Sequence, residues 1–162
     1  MATPVYTFFH AMFGLFGIGS GVATMLRLLA GRQVNGLPAV FFFSTFLTIL
    51  TGFGFPYDSL LPTHIFGIFL QPVLVIAIPA YCMFCMVGAF RRTFVIGFST
   101  ALYLDVHVLI AHTFSKVQIL SSLPPIQKES PLLITQGIVL ALFVVLTTLA
   151  TTKSSPERAQ VH

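Results

Sequence analysis

Apolar residues fill five long stretches of the chain, and short polar or turn-forming segments separate them. The stretches cover residues of about 4–30, 36–56, 61–90, 93–118 and 131–152. Each has close to the ~20 residues that an α-helix needs to cross a bilayer. The segments between them hold Gly, Pro, Asn or charged residues, which are typical of turns. The pattern predicts an all-α integral membrane bundle of five transmembrane helices.

Composition supports the same fold class. The 162 residues are 56% hydrophobic and only 7% charged, and the mean hydropathy is +0.96. A soluble domain of this length would cover its core with about 25% charged residues, and this chain lacks them. We therefore expect one transmembrane helical domain over residues 1–152, followed by a polar tail over residues 153–162.

The positive charges predict how the bundle is oriented. They cluster at three places along the chain: Arg27 and Arg32, Arg91 and Arg92, and Lys153 and Arg158. Cytoplasmic loops of membrane proteins carry an excess of Lys and Arg. We therefore expect the N-terminus outside and the C-terminus in the cytoplasm, with Arg91 and Arg92 forming the break between the third and fourth spans.

Several familiar functions find no support in the sequence. The net charge of +4 comes from scattered residues, so a nucleic-acid-binding surface is not indicated. The chain has only two cysteines, Cys82 and Cys85, and none of the common motifs of nucleotide-binding, zinc-protease or serine-hydrolase sites. We expect that it is not an enzyme by itself.

Four histidines fall within predicted spans. They are His10, His64, His107 and His112. With ~1.5 Å of rise per residue and the N-terminus outside, all four lie in the outer half of the bilayer, on three different helices. They could simply hydrogen-bond neighbouring helices. Alternatively, they could ligate a metal or a tetrapyrrole, and the matching depths favour His10 and His112 as the ligand pair.

Asp105 lies near the middle of the fourth span, where a bare carboxylate is costly. It shares a helix face with His112, seven residues further on. We expect it to be protonated or paired, with Gln71 or His107 as candidate partners. It could fix helix packing through a hydrogen bond. It could also act as a proton relay or support a liganding histidine, with Gln71 and Gln136 as further polar groups.

Small residues line one face of the first span below His10. Gly14, Gly17 and Gly21 follow it at offsets of four, seven and eleven residues. Close helix packing explains such a pattern, since Gly17 and Gly21 form a small-xxx-small pair. A second interpretation is a smooth groove that admits a flat macrocycle, whose metal His10 ligates. Imidazole suits haem iron and also chlorophyll magnesium.

Two features carry a family resemblance: the histidine near the start of the first span and the segment KVQILSSLPPIQKESPLLITQGIVLALFVVL at 116–146. With them the chain resembles uncharacterised small multi-span proteins of bacterial inner membranes, which implies that location and no particular reaction. In architecture the chain is also similar to five-span haem b subunits of respiratory oxidoreductases. Those subunits place histidine ligands in two layers, whereas this chain has one.

Three functions follow from these observations. The first is a membrane subunit that holds one tetrapyrrole, haem b or a chlorophyll-type pigment, in an electron-transfer complex; copper or zinc on the same histidines is a variant. The second is an accessory or assembly subunit without a cofactor. The third is a small transporter or proton channel that uses Asp105 and the histidines. The expected partners are the lipid bilayer and other membrane subunits or further copies of the chain.

Overall fold

A computed structural model describes residues 4–54, 62–83, 88–116 and 125–153; the side chains of residues 62–66, 115–116 and 125–130 lie outside this description. This part of the chain folds into five α-helices. They are α1 (Pro4–Leu29), α2 (Leu37–Gly52), α3 (Pro62–Cys82), α4 (Ala89–Lys116) and α5 (Pro125–Thr152). The all-helical fold predicted from the apolar pattern is therefore confirmed.

Prolines mark the helix starts. Pro4, Pro62 and Pro125 are the first residues of their helices, and Pro38 is the second residue of α2. Proline suits this position because its fixed φ matches the helix and the N–H it lacks would have no intrahelical acceptor there.

The break between the third and fourth helices lies earlier than the sequence predicts. α3 ends at Cys82, and α4 already begins at Ala89. Gly88, directly before α4, has a φ of +55°, which glycine adopts at no steric cost. Arg91 and Arg92 therefore belong to the first turn of α4 and do not form the connection itself.

Proline inside a helix does not end α3 or α5. α3 continues through Pro72 and Pro79, and α5 includes Pro131, where the fifth span was expected to begin. Three helical stretches are long and apolar enough to cross a membrane, namely Pro4–Leu29, Ala89–Phe114 and Pro131–Thr152 in the described residues. The stretches Leu37–Gly52 and Gly67–Cys82 are apolar but shorter. These lengths suggest a multi-pass membrane protein.

The helices form two tightly packed pairs. α1 lies against α2 and α3 lies against α4, and these are the most extensive contacts in the bundle. α4 also contacts α1 and α5, so it is the central helix. Small residues allow the close approach of the second pair, because a methyl group added at Gly97 would lie 3.0 Å from the Cβ atom of Ala77.

Aromatic rings fill the core between α2, α3 and α4. Phe41 and Phe98 meet edge to face with ring centroids 4.8 Å apart, and Phe94 stacks on Phe98 at 5.5 Å. Phe42 and Tyr81 complete the cluster. This core lies in the half of the bundle at which α4 begins with Arg91 and Arg92. The polar side chains of α2 lie further along the helix, toward the opposite end.

Candidate functional site

The central polar contact of the bundle joins α2 to α4. Thr45 donates a hydrogen bond from Oγ1 to Oδ2 of Asp105 over 2.8 Å. Thr45 is buried, with 1% of its surface exposed, and Asp105 is partly buried. Asp105 was expected to pair with Gln71 or His107; the partner that the structure places beside it is Thr45.

Glycines of α1 pack closely against the residues around this contact. A methyl group at Gly17 would lie 3.4 Å from Thr45 Oγ1, and one at Gly21 would lie 3.0 Å from Cδ2 of Phe41 and closer still to Leu102. At Gly14 the nearest atom would belong to Thr48, at 3.8 Å. The glycine face is thus filled by side chains of α2 and α4, as close helix packing requires.

This packing limits where a macrocycle could bind. A flat ring held by His10 does not fit between α1 and α2 beside Gly17 and Gly21, because Thr45, Phe41 and Leu102 occupy that space. Such a ring would have to lie beyond Gly14, toward the N-terminal end of α1, or on another side of the helix.

His10 contacts α2 two turns away from the Asp105 site. Its Nδ1 atom lies 2.8 Å from Oγ1 of Thr51. If the Thr51 hydroxyl donates to the carbonyl oxygen of Leu47, 2.7 Å away, it accepts from His10, and the imidazole proton is on Nδ1. In the neutral ring this tautomer puts the lone pair on Nε2. Tyr6 donates to the carbonyl oxygen of the same Thr51.

His10 and His112 lie at the same level of the bundle. Gly21 of α1 packs against Leu102 of α4. His10 lies eleven residues before Gly21, and His112 lies ten residues beyond Leu102, which at ~1.5 Å of rise per residue places them about 17 Å and about 15 Å from that contact in the same direction. His112 is exposed and shares a helix face with Asp105, while His10 is partly buried.

His107 belongs to a different surface of α4. Its Nδ1 atom lies 3.3 Å from the hydroxyl of Tyr103, and the two rings meet edge to face. Tyr103 in turn packs against Phe143 of α5. His107 therefore lies on the α5 side of α4, away from the Thr45–Asp105 bond.

The other predicted site residues are dispersed. Gln71 is exposed on α3, and Gln136 is partly buried on α5. His64 lies in the first turn of α3, and its side chain is outside the described part of the structure. Of the predicted residues, Asp105, the glycines of α1 and His10 all contact α2. Asp105 contacts Thr45, and His10 contacts Thr51.

The hydroxyl groups of α2 were missed by the sequence analysis, although the sequence carries a signal for them. The segment STFLTILT at 44–51 repeats Ser or Thr at offsets of four and three residues, which places Ser44, Thr48 and Thr51 on one face with Thr45 beside it. Thr48 donates to the carbonyl oxygen of Ser44. We call Ser44, Thr45, Thr48 and Thr51 the hydroxyl row.

The arrangement provides one acidic group and one imidazole at the two ends of the hydroxyl row. Within the described residues, no three His, Cys, Asp or Glu side chains come close enough to hold a metal ion together. A metal of a tetrapyrrole needs only one or two axial ligands, so this finding concerns metal ions held by protein side chains and not a tetrapyrrole. Comparisons of the chain with known protein families, with curated protein sequences and with solved structures find no match.

Proposed function

We propose that this chain is a small multi-pass membrane protein that binds and releases a proton at Asp105, as part of a proton-coupled transporter or proton-conducting complex. The observation that carries the proposal is the Thr45–Asp105 hydrogen bond between α2 and α4. Ionisable side chains within membrane spans are costly and commonly mark ion or proton pathways. Asp105 is such a group, at the centre of the apolar helix α4.

Thr45 gives the carboxyl group a hydrogen bond in both of its protonation states. A carboxylate accepts the bond from Thr45 Oγ1, and a carboxylic acid can accept the same bond through its carbonyl oxygen. Protonation therefore changes the charge at the α2–α4 contact without requiring the two helices to separate. The change in charge is the event that a partner protein or a transported solute could use.

The hydroxyl row and His10 mark a route along which a proton could move between Asp105 and the N-terminal part of α1. Polar side chains on α2 extend from Thr45 to Thr51, where His10 contacts the row. An imidazole is suited to exchanging protons near neutral pH. Water would have to bridge the hydroxyl groups, because Thr48 and Thr51 donate their own protons to backbone carbonyls. Five helices enclose little volume, so we expect further copies of the chain to complete the pathway in an oligomer.

The test is proton flux into vesicles that contain the purified protein and a trapped pH-sensitive dye. A potassium gradient with valinomycin supplies the driving potential. We expect wild-type protein to carry flux, Asp105→Asn to abolish it and Thr45→Val to reduce it. Thr100→Val is the matched control, because Thr100 is exposed on α4, the helix of Asp105, and within the described residues its hydroxyl bonds the carbonyl oxygen of Ile96 on its own helix. Flux that is absent in wild type, or retained in Asp105→Asn, would contradict the proposal.

A second candidate function is tetrapyrrole binding for one-electron transfer, with His10 and His112 as axial ligands. It is favoured by the bond from His10 Nδ1 to Thr51, since liganding histidines commonly bond a second group through the other ring nitrogen. The common level of His10 and His112 also fits. The test is the absorption spectrum of the purified protein before and after reduction. A Soret band that persists in both His10→Ala and His112→Ala, or a colourless protein, would contradict this candidate.

The proposed topology places all five helices across a bacterial inner membrane, with the N-terminus outside and the C-terminus in the cytoplasm. Arg27, Arg91 and Arg92 support it, because all lie at the same end of the bundle. Fusions of alkaline phosphatase and of green fluorescent protein to the C-terminus test it. We expect fluorescence without phosphatase activity.

A protein that shows neither flux nor colour, and is stable only with co-purifying membrane proteins, would instead support an accessory role.

A further inference from the structure

Positive side chains gather at one end of the bundle. Among side chains that the structure describes, this end holds Arg27, Arg32, Arg91, Arg92 and Lys153, and Asp105 in mid-bundle is the only acidic one. The contact between Arg91 of α4 and Ala150 of α5 joins the start of one helix to the end of the other. We call this end the basic end.

The two arginines at the start of α4 have different roles. Arg91 donates from a guanidinium nitrogen to the carbonyl oxygen of Ala150 over 3.3 Å, so it fastens α4 to the last turn of α5. Arg92 is exposed and makes no hydrogen bond or ion pair within the described part of the chain. The guanidinium of Arg91 thus links two helices. The guanidinium of Arg92 is exposed and can bind an anion from outside the protein.

Arg92 lines an open groove between α4 and α5. The groove has a volume of about 440 Å³ and is formed by Arg92, Ile96, Thr151 and Thr152. Volumes of about 300–1,000 Å³ are typical of sites for small molecules and cofactors. Ile96 lies one helical turn further into the bundle than Arg92, so the groove is charged at its mouth and apolar below.

The threonines add a second chemical preference. Thr151 donates its hydroxyl proton to the carbonyl oxygen of Thr148, and Thr152 donates to that of Leu149. Their oxygen lone pairs are therefore directed to accept hydrogen bonds. A ligand that matches Thr151 and Thr152 has hydroxyl groups that donate hydrogen bonds. It also has an anionic group, such as a phosphate, that pairs with the guanidinium of Arg92.

We infer that the groove binds the headgroup of an anionic phospholipid whose headgroup also carries hydroxyl groups, such as phosphatidylglycerol. The phosphate pairs with Arg92, the headgroup hydroxyls donate to Thr151 and Thr152, and an acyl chain passes Ile96. Basic pockets between membrane helices are suited to anionic headgroups, because a nearby Lys or Arg attracts the lipid charge at the membrane surface. This inference requires a membrane around the bundle but does not depend on proton transfer at Asp105.

Lipid binding is measured by native mass spectrometry of the purified protein in a neutral detergent, with phosphatidylglycerol or phosphatidylcholine added at equal concentration. We expect wild-type protein to retain phosphatidylglycerol preferentially. Arg92→Gln should weaken that binding about fivefold, the effect of one cation near a membrane surface. Arg32→Gln is the control, because Arg32 is exposed at the same end but does not line the groove. Equal loss in both variants would overturn the site in favour of diffuse charge.

Two further arms separate the sources of the anion. Inorganic phosphate at the same ionic strength should not displace the lipid; displacement would show a site for free phosphate instead. Phosphatidic acid, which lacks headgroup hydroxyls, should bind more weakly than phosphatidylglycerol in wild type. Equal binding of the two lipids would overturn the role of Thr151 and Thr152. Size-exclusion profiles and circular dichroism check that each variant is folded, and wild-type protein without any preference for phosphatidylglycerol would overturn the inference as a whole.

Discussion

Thr45 and Asp105 are sixty positions apart in the sequence and only 2.8 Å apart in the fold, measured from hydroxyl oxygen to carboxyl oxygen. Their bond joins α2 to α4 although these helices belong to different packed pairs. A polar bond of this kind specifies which helix faces which neighbour, because apolar contacts alone are nearly interchangeable within a bilayer. The bond that orients the two helices thus also positions the carboxyl group of Asp105, which we propose binds and releases a proton.

The first prediction concerns the strength of that bond. Thr45→Val keeps the shape of the side chain and removes the donor, so it should lower the free energy of unfolding by about 0.6–1.7 kcal/mol, between the average and the largest values measured for hydrogen bonds between membrane helices. Unfolding in mixed micelles of detergent and sodium dodecyl sulfate measures the change. A double-mutant cycle with Asp105→Ala should return a coupling energy of the same size. Additive effects of the two substitutions would contradict a direct bond.

The second prediction concerns the glycine face of α1. Gly21→Ala would bring a methyl group into Leu102 and Phe41, which are 1% and 0% exposed and have little room to move. We expect the substitution to destabilise the bundle by about 1–3 kcal/mol, as overpacking of a core does. Thermal unfolding in detergent measures it. Gly19→Ala is the matched control, because no atom of the described residues lies within 4 Å of a methyl group there; equal loss of stability in both variants would contradict a role of the contact with Leu102 and Phe41.

The third prediction tests the contact between α3 and α4 by exchanging two small residues. Gly97→Ala should destabilise the protein by about 1–3 kcal/mol, because the new methyl group meets the Cβ atom of Ala77, which cannot rotate away. Adding Ala77→Gly should restore part of the loss, since it removes the opposing methyl group. Unfolding midpoints of the single and double variants measure the recovery. A double variant that is less stable than both singles would contradict the close approach at this position.

The helices could be predicted from the sequence, but not all of their boundaries. Long apolar runs are nearly unambiguous, so α1 extends over almost the same residues as expected. The pair Arg91 and Arg92 was interpreted as the break after the third helix because charge is rare within spans. The structure places both arginines in the first turn of α4, and Gly88 precedes that turn. Charge marks the level of the membrane surface, whereas glycine marks the change of backbone direction.

The candidate site could be predicted only in part. Asp105 was identified because a carboxyl group in an apolar span needs a partner. Its partner was not, because helical periodicity shows which residues share a face but not which helix lies opposite. The roles of Thr45 and Thr51 become clear only in the fold, where α1 packs against α2 and Asp105 of α4 contacts Thr45. Threonine is also common in membrane helices, where it bonds its own backbone, so its presence alone carries little information.

The fourth prediction concerns Ser99, a buried residue of α4. Its hydroxyl oxygen is enclosed, with 2% of the residue exposed, and has no hydrogen-bond partner among the described residues. A buried polar group without a partner is costly, so Ser99→Ala should raise the free energy of unfolding by about 1 kcal/mol. Thr100→Ala, next to it and exposed, should change stability by less than about 0.5 kcal/mol. Unfolding of the two variants under identical conditions measures the difference. A clear loss of stability in Ser99→Ala would contradict the prediction and would mean that this hydroxyl bonds a group outside the described residues. Because Ser99 lies apart from the Thr45–Asp105 bond, the stabilised variant should retain wild-type proton flux, so that stability and transport can be separated within a single helix.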